Sequence, residues 1–309
     1  MAAAMASPAI AQQQQLIKFV VPFAAGGGTD SYVRMLADEM TKRGTRVIVE
    51  NKPGGSAVIA ADYVAKSRPD GQTLVMSFVG MLGTNTLLFD KLPYDPVKDF
   101  TAVSQIAYQP TIIVGRTELP YTNIKEMVDY ATANPGRIHR GSPGAAILSN
   151  LAPVAFEKSI GISTNHIPFN GDAPAIQAML SNSIDVYGTS ITSSLPHIKS
   201  GKFRVLGVMD SKRLPQVPDA PTFKEMGYDF EAPLRYYLSA PGATPKDVVA
   251  RLNKSINEVL SDQGFIDRAR AIGMEPQGGS PAEMERLLNA EIQRWNPVVR
   301  SLNLPKSGQ

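Results

Sequence analysis

The sequence predicts an α/β fold in which two domains share a hinge. Short runs of β-branched residues alternate with segments whose apolar residues recur at helical spacing, a pattern typical of βαβ units with largely parallel sheets. Each half of the 309-residue chain also places a Gly-rich turn between such a run and a helix-like segment. Because no internal repeat or long linker separates the halves, we expect two domains joined by crossing strands rather than two domains in series.

The first half begins with a strand predicted at residues 17–21. The turn Gly26-Gly27-Gly28 follows, and Thr29 and Asp30 are residue types that cap the N-terminus of a helix. One face of that helix is apolar, with Val33, Leu36, Ala37 and Met40. The other elements predicted in this half are strands at 46–50 and 74–78 and a helix capped by Ser56.

The second half repeats the alternation of strands and helices. The elements predicted there are strands at 112–114, 184–187, 204–208 and 234–240, a helix at 124–133 and a helix that begins near Asp172. Two further helices follow, because Thr244-Pro245 and Ser280-Pro281 each place a capping residue before a proline, which is favoured at the first helical position.

Composition excludes several function classes. The chain has no cysteine, which excludes disulfides, thiolate catalysis and cysteine-based metal sites. Its net charge is +3 with scattered Lys and Arg, so we expect no nucleic-acid partner. The histidines His139, His166 and His197 lack a metal-ligand spacing, and no metal or cofactor is expected. No segment after residue 15 is apolar for long enough to span a bilayer.

Residues 1–15 are interpreted as the remnant of a signal peptide with a short linker. Ala9-Ile10-Ala11 matches the small-residue pattern that precedes a signal-peptidase site, although a basic region and a long apolar core are missing. The alternative is an Ala-rich extension with no targeting role. The signal remnant predicts an exported, periplasmic protein.

The two Gly-rich turns are the candidate binding elements. Residues 22–30 and the turn Gly141-Ser142-Pro143-Gly144 each precede a predicted helix, and the free N–H groups at a helix N-terminus attract an anion. The spacing matches neither a dinucleotide-binding fingerprint nor a P-loop. Either turn could be a simple tight turn, but one in each half is the arrangement expected of a cleft that closes on an anion.

Catalytic motifs are absent, so we expect no enzyme. Ser142 lies in no G-x-S-x-G elbow, and no nucleophile stands beside His166 or His197 in the sequence. The alternative is an α/β enzyme that acts on a small acid in the same cleft. A hydrogen bond between one of these histidines and a serine of the pocket would support that alternative.

The motifs IKFVVPFAAGGGTD, VENKPGGSAVIAADYVAKSRPDGQTL, NPGRIHRGSPG and PDAPTFKEMGYDFEA resemble the Bug (TctC-like) substrate-binding proteins of tripartite tricarboxylate transporters. The resemblance extends over residues 16–305. It implies a Venus-flytrap fold like that of periplasmic binding proteins, with crossover strands near 104–114 and 230–240. Domain 1 would comprise 16–104 and 233–309, and domain 2 would comprise 105–232.

The resemblance also implies a function without catalysis or cofactor. Such a protein captures a small carboxylate, which could be a dicarboxylate, a tricarboxylate or an aromatic acid, and hands it to the permease subunits in the membrane. Some relatives present their ligand to a sensor kinase instead. A monomer is expected. The residues implied to bind the ligand are Phe23, Ala24, Ala25, Gly26, Gly27 and Thr29 on one side, Ser142, Pro143, Ala146, Ser149 and Asn150 on the other, and Ser77, Phe78 and Phe169 along the wall.

The chain departs from the family pattern at the far end of the pocket. Thr189 stands where an Asp is common, and Arg235 stands where an aromatic residue is common. Losing an acid and gaining a cation would make this end accept a second negative group. We therefore hypothesise that Arg235 pairs with a distal carboxylate of the ligand. The alternative is that Arg235 forms an ion pair within the protein or lies at the rim of the cleft.

Overall fold

A computed structural model describes residues 16–142, 144, 147–169, 171–304 and 306. The predicted signal remnant and the site residues Pro143 and Ala146 lie outside these ranges. The strands are β1 (Ile17–Val21), β2 (Val47–Asn51), β3 (Thr73–Ser77), β4 (Phe100–Arg116), β5 (His139–Ser142), β6 (Asn165–Pro168), β7 (Val186–Ser190), β8 (Phe203–Met209), β9 (Pro233–Pro241) and β10 (Glu275–Pro276). The helices are α1 (Gly28–Lys42), α2 (Val58–Ala65), α3 (Asn85–Leu88), α4 (Ile124–Ala133), α5 (Leu148–Ile160), α6 (Asp172–Leu180), α7 (Ile191–Lys199), α8 (Lys246–Leu260), α9 (Gln263–Ala271) and α10 (Pro281–Ser301).

Lobe 1 is the part of the molecule built around β1, β2, β3 and β9. β1 lies between β2 and β3 and is parallel to both, and β9 is antiparallel to β3. The alternation of β1 explains its two-sided burial, because Phe19 and Val21 belong to one apolar cluster and Val20 to another. Helices α1 and α8 supply the first cluster and α2 the second, so the sheet has helices on both faces.

Lobe 2 is the part built around β5, β6, β7 and β8. β5 is parallel to β6 and to β7, and both β7 and β8 pair antiparallel with β4. Consequently the carboxyl ends of the three parallel strands β5, β6 and β7 lie at one edge of this sheet, where ligands of open α/β sheets bind.

Two long strands connect the lobes, as the fold prediction requires. β4 pairs with β9 from Phe100 to Pro110 and then with β7 from Thr111 onward, so a single strand belongs to the sheets of both lobes. β9 carries the chain back from lobe 2 to lobe 1. The α/β fold with two crossover strands is therefore confirmed, and β4 is longer than the predicted stretch because it begins at Phe100.

Helix α10 contacts both lobes. Near its start, Met284 packs with Tyr237 and Ala102 of the crossing strands. Near its end, Trp295 and Val299 belong to the apolar cluster of lobe 2. The predicted assignment of all of 233–309 to one domain stays a prediction, since this helix is shared.

Three of the predicted helix caps are wrong. Helix α1 begins at Gly28 with Gly27 as its N-cap, so Thr29 and Asp30 lie inside the first turn. Ser56 lies in a short 3₁₀ turn with a φ of 53°, and Ala57 is the N-cap of α2. Thr244 is displaced as a cap because Pro245 itself holds that position. The cap at Ser280 is confirmed, since its side chain accepts a hydrogen bond from the Glu283 amide.

Candidate ligand site

The loop after β1 is an exposed turn anchored by a buried acid. Ala24, Ala25, Gly26 and Gly27 are exposed. Asp30 is 2% exposed, and its carboxylate accepts hydrogen bonds from the Gly26 amide at 2.9 Å and from other donors: Asn51 Nδ2 at 2.7 Å and Arg34 Nε at 3.0 Å. Burial alone would raise the pKa of Asp30, but the hydrogen bonds from Arg34, Asn51 and Gly26 hold it below its ordinary value.

The N-terminus of α1 offers backbone donors to a ligand. Its N-cap is Gly27, which has no side chain to cap the first turn, and the first amide bonded to that cap is that of Ser31. The amides of Gly28 and Thr29 therefore have no partner within the helix, and the positive end of the helix dipole lies beside the exposed loop. This end of α1 can hold a carboxylate.

An aromatic pair forms the wall next to this loop. The rings of Phe23 and Phe78 stack with centroids 5.6 Å apart, and both side chains are half-buried. Ser77, the preceding residue of β3, is fully buried, and its Oγ lies 2.7 Å from Oγ of Ser239. The predicted wall residue Ser77 thus has its hydroxyl engaged inside lobe 1.

The loop after β5 is the opposing element in lobe 2. Ser142 is fully buried, and its Oγ donates to the Gly144 carbonyl at 2.9 Å and lies 2.8 Å from Nε2 of His166. The Phe169 amide donates to the Ser142 carbonyl at 2.9 Å, which brings half-buried Phe169 to the same place. The predicted residues Ser142 and Phe169 are therefore brought together at the carboxyl ends of β5 and β6.

A buried arginine in β5 forms hydrogen bonds with residues that follow this loop. Arg140 is 1% exposed and donates to Glu157 Oε1 at 2.8 Å, to Thr164 Oγ1 at 3.1 Å and to Asn150 Oδ1 at 2.7 Å. The predicted site residues Ser149 and Asn150, in the first turn of α5, are 5% and 2% exposed. Arg140 thereby fixes the orientation of the Asn150 amide.

His166 is held neutral in this arrangement. Burial, and secondarily the charge of Arg140, lowers the pKa of His166 from 6.5 to about 4. At neutral pH the Ser142–His166 contact is a hydrogen bond between two uncharged groups.

An acid lies beside Thr189, the residue predicted at the far end of the pocket, where the sequence led us to expect the loss of one. Thr189 is fully buried at the end of β7, and its Oγ1 lies 3.3 Å from Oδ1 of Asp172. Asp172 also accepts hydrogen bonds from the Tyr187 hydroxyl and, at 2.8 Å, from Ser193 Oγ. The inference that this end had lost its acid is wrong, because the first residue of α6 supplies a carboxylate from another element.

Arg235 lies against α10. Its NH1 atom is 3.3 Å from Glu291 Oε1, and Glu291 also accepts a hydrogen bond from the Tyr237 hydroxyl at 2.7 Å. Glu291 is 5% exposed, and burial raises its pKa although Tyr237 and Arg235 partly offset this. The geometry favours the ion pair within the protein, and the proposed contact of Arg235 with ligand stays untested.

The two lobes touch beside the α1 turn. A Cβ added to Gly28 would lie 2.2 Å from Cγ2 of Thr192, in the first turn of α7. Thr192 Oγ1 donates to the Ile272 carbonyl of lobe 1 at 2.9 Å and accepts a hydrogen bond from Gln109 of the crossing strand β4. These contacts place the N-termini of α1 and α7 against each other, beside the loop after β1.

Sequence reasoning missed the residues that connect the lobes. Asp172 was interpreted only as the start of a helix, and Thr192 and Gln109 lie in no motif. Tyr236 of β9 is buried, and its hydroxyl lies 3.5 Å from Gln109 Oε1.

A groove on the outer face of lobe 1 does not coincide with these loops. It is lined by α2 and its surroundings, including Lys52, Ile59, Asp62, Tyr63 and Lys66. Its lysines are engaged in ion pairs, with Lys66 Nζ 2.6 Å from Asp62 and Lys52 Nζ 2.8 Å from Glu50. The groove gives no reason to move the candidate site.

The residues that the structure describes also bear on metal binding and on membrane insertion. In those residues no group of three or more acidic or histidine side chains is placed to hold a metal ion. None of the helices formed by those residues is long and apolar enough to cross a membrane.

Comparison with known proteins identifies the class. The sequence profile of the tripartite tricarboxylate transporter family receptors matches residues 32–304. The BugT protein of Bordetella pertussis is 31% identical over 287 residues, which cover 92% of this chain and 88% of that protein. The chain belongs to this receptor family, and the resemblance inferred from the sequence motifs is confirmed.

Solved structures agree with this assignment. The structure of R. palustris Rpa4515 with adipate superposes with a TM-score of 0.86 at 30% identity, covering 96% of this chain and all of that one. MatC from Rhodopseudomonas palustris with bound malate gives a TM-score of 0.78 at 31% identity, covering 92% of this chain and 98% of that one. The expectation of a solute receptor of this family is thereby confirmed.

Proposed function

We propose that this protein captures a small organic carboxylate in the periplasm and delivers it to the membrane permease of a tripartite transporter. The observation that carries the proposal is the contact between the lobes at the N-terminus of α1, where the position of Gly28 meets Thr192 in the first turn of α7. The uncapped N-terminus of α1 offers backbone donors to an anion there, and the loop after β5 at Ser142 is the second element that we propose, from lobe 2. The adipate and malate bound by the two solved relatives support a ligand of this chemical class.

The binding test is a thermal-shift screen against an organic-acid library, followed by calorimetry on the hits. A ligand that binds only the folded protein stabilises it by RT ln(1 + [L]/Kd), about 2.7 kcal/mol at a hundredfold excess over Kd. We expect at least one acid to raise the melting temperature and to reduce the radius of gyration in solution scattering, because the ligand favours closure of the lobes. No response to any acid would overturn the proposal.

Delivery to a permease in the periplasm has its own test. A gene pair for a small and a large permease subunit next to this one would support it, and a neighbouring sensor-kinase gene would favour ligand presentation instead. We expect the mature chain, as a monomer, in the periplasmic fraction of cells that carry the full gene. Finding it in the cytoplasm of those cells would contradict the proposed location.

One observation favours an enzyme as a second candidate, namely the hydrogen bond between Ser142 and His166. Two features speak against catalysis. A histidine with a pKa of about 4 is a weak base at neutral pH, and the Ser142 side chain is fully buried. We expect no turnover of ester or thioester derivatives of any acid that binds. Hydrolysis that disappears in Ser142→Ala while acid binding persists would establish the enzyme.

A further inference from the structure

We propose that Asp172 makes the pocket prefer acids whose second end is a hydrogen-bond donor, a hydroxyl or an ammonium group, over dicarboxylates of the same length. This inference rests on the proposed function and names its ligand class. It assigns a specificity role to a residue that the sequence marked only as the start of a helix.

The carboxylate of Asp172 accepts hydrogen bonds from the hydroxyl groups around it. Tyr187 donates to Oδ1 and Ser193 donates to Oδ2 at 2.8 Å. Thr189 has one proton for either Asp172 Oδ1 or the Ser190 carbonyl, both of which are 3.3 Å away. Tyr187 and Thr189 are fully buried, whereas Asp172 and Ser193 are half-buried, so the Asp172 carboxylate and the Ser193 oxygen are the acceptors that this cluster presents to a ligand.

The charge of this wall is negative. Within the part of the chain that the structure describes, no basic side chain forms an ion pair with Asp172. A second carboxylate of a ligand would be repelled by the like charge of Asp172. It would also find hydrogen-bond acceptors where it needs donors. A hydroxyl or ammonium group would find acceptors at the same place.

Asp172 is connected to lobe 1 through the first turn of α7. Its partner Ser193 adjoins Thr192, which meets Gly28 at the start of α1. The Gly28–Thr192 contact and the Ser193–Asp172 hydrogen bond connect the α1 turn to Asp172 through two adjacent residues of α7. The proposal is that an acid held at the α1 turn extends along this connection toward Asp172.

The cation that the sequence suggested for this end is engaged elsewhere. Arg235 pairs with Glu291 of α10, at 3.3 Å. Its charge is therefore partly compensated within lobe 1, and Asp172 is the charge that the structure places next to Thr189.

The test compares acids that share one skeleton and differ only at the far end. The aliphatic set is butyrate, 4-hydroxybutyrate, 4-aminobutyrate and succinate, and the aromatic set is benzoate, 4-hydroxybenzoate, 4-(aminomethyl)benzoate and terephthalate. In whichever set binds, we expect the wild-type protein to bind the best donor-ended acid at least tenfold more tightly than the dicarboxylate by calorimetry.

Two variants connect the preference to Asp172. We expect Asp172→Asn to reduce the preference about tenfold or to reverse it, because the neutral amide removes the charge and presents a donor. The control is Asp129→Asn, which removes a charge from an exposed position of α4 and should leave the preference unchanged. If Asp172→Asn does not fold, Asp172→Ser replaces it in the same comparison.

The outcomes distinguish a failure of this inference from a failure of the proposed function. A wild-type protein that prefers the dicarboxylate, or a preference that Asp172→Asn and Asp172→Ser leave unchanged, overturns this inference and leaves the proposed function standing. A failure of every acid in these sets and in the larger library overturns the proposed function, and the inference with it.

Discussion

Among single residues, Gly28 lies where the two lobes are in contact. Its φ is not in the left-handed region, so alanine fits its backbone, and alanine is the better helix former. The added methyl group would nevertheless lie 2.2 Å from Thr192 Cγ2. We expect Gly28→Ala to leave the melting temperature of the ligand-free protein nearly unchanged and to weaken acid binding about tenfold, the size of a modest overpacking cost.

The second substitution in this test is Thr192→Ser. It removes the methyl group that the new side chain would meet and keeps the hydroxyl that donates to the Ile272 carbonyl. The double variant should therefore regain most of the wild-type affinity in calorimetry. Equal affinities of the single and double variants would show that this contact does not limit closure.

His166 predicts a pH dependence of stability. Its pKa is about 4 in the folded protein and 6.5 ordinarily, so the unfolded chain takes up this proton at a higher pH than the folded chain does. The free energy of unfolding should accordingly fall as the pH decreases from 6.5 to 4. In urea unfolding at pH 7, 5.5 and 4.5 we expect His166→Gln to show a shallower decline than the wild type.

A matched control for this measurement is His139→Gln, which changes the exposed histidine at the first residue of β5. Its decline should follow that of the wild type. If His166→Gln and the wild type lost stability in parallel, the folded protein would not be excluding a proton from His166.

At the scale of elements, Glu291 joins α10 to the crossing strand β9. Tyr237 donates to it at 2.7 Å and Arg235 pairs with it at 3.3 Å. Because burial raises the pKa of Glu291, the folded chain binds its proton more tightly than the unfolded chain does. Ionisation of Glu291 therefore lowers stability as the pH rises above 4.5, and Arg235 limits that loss.

We expect Arg235→Met to lower the free energy of unfolding by about 2 kcal/mol at pH 8 and by less at pH 4, where Glu291 is more often protonated. Glu291→Gln in the same protein should remove most of the difference between the two pH values. The measurement is urea unfolding of the three proteins. Unchanged stability together with a tenfold loss of acid affinity would instead place Arg235 on the ligand.

The secondary-structure elements also show how much of the fold could be predicted from the sequence. The pattern of apolar residues predicted β1, α1 and strands at 112–114 and 234–240, because burial on a sheet or helix face imposes such a pattern, whereas the crossing of two strands between the lobes was implied by the family resemblance. The prediction from residue type failed at Asp30. Its side chain accepts hydrogen bonds from the Gly26 amide and from Asn51 instead of capping the helix. The apolar pattern also could not pair Asp172 with Thr189, because their contact joins the start of α6 to the end of β7 across 17 residues.

At the scale of the whole molecule, the lobes should unfold together. β4 belongs to both sheets, and α10 packs Met284 against the crossing strands and Trp295 in the apolar cluster of lobe 2. Losing either lobe would expose apolar surface on these shared elements, so a half-folded state is costly. Trp295 is the one tryptophan of the chain, which makes its fluorescence a reporter of lobe 2, whereas far-ultraviolet circular dichroism reports on both lobes.

We therefore expect the two signals to give the same urea midpoint, and a bound acid to shift both midpoints by the same amount. Trp295→Phe keeps an aromatic side chain in the cluster and serves as the control for fluorescence that does not come from this residue. Separate midpoints would mean that the lobes unfold independently, and a ligand shift confined to the dichroism signal would mean that the acid stabilises lobe 1 alone. Either result would contradict a ligand held between the lobes, because such a ligand is released as soon as one of them unfolds.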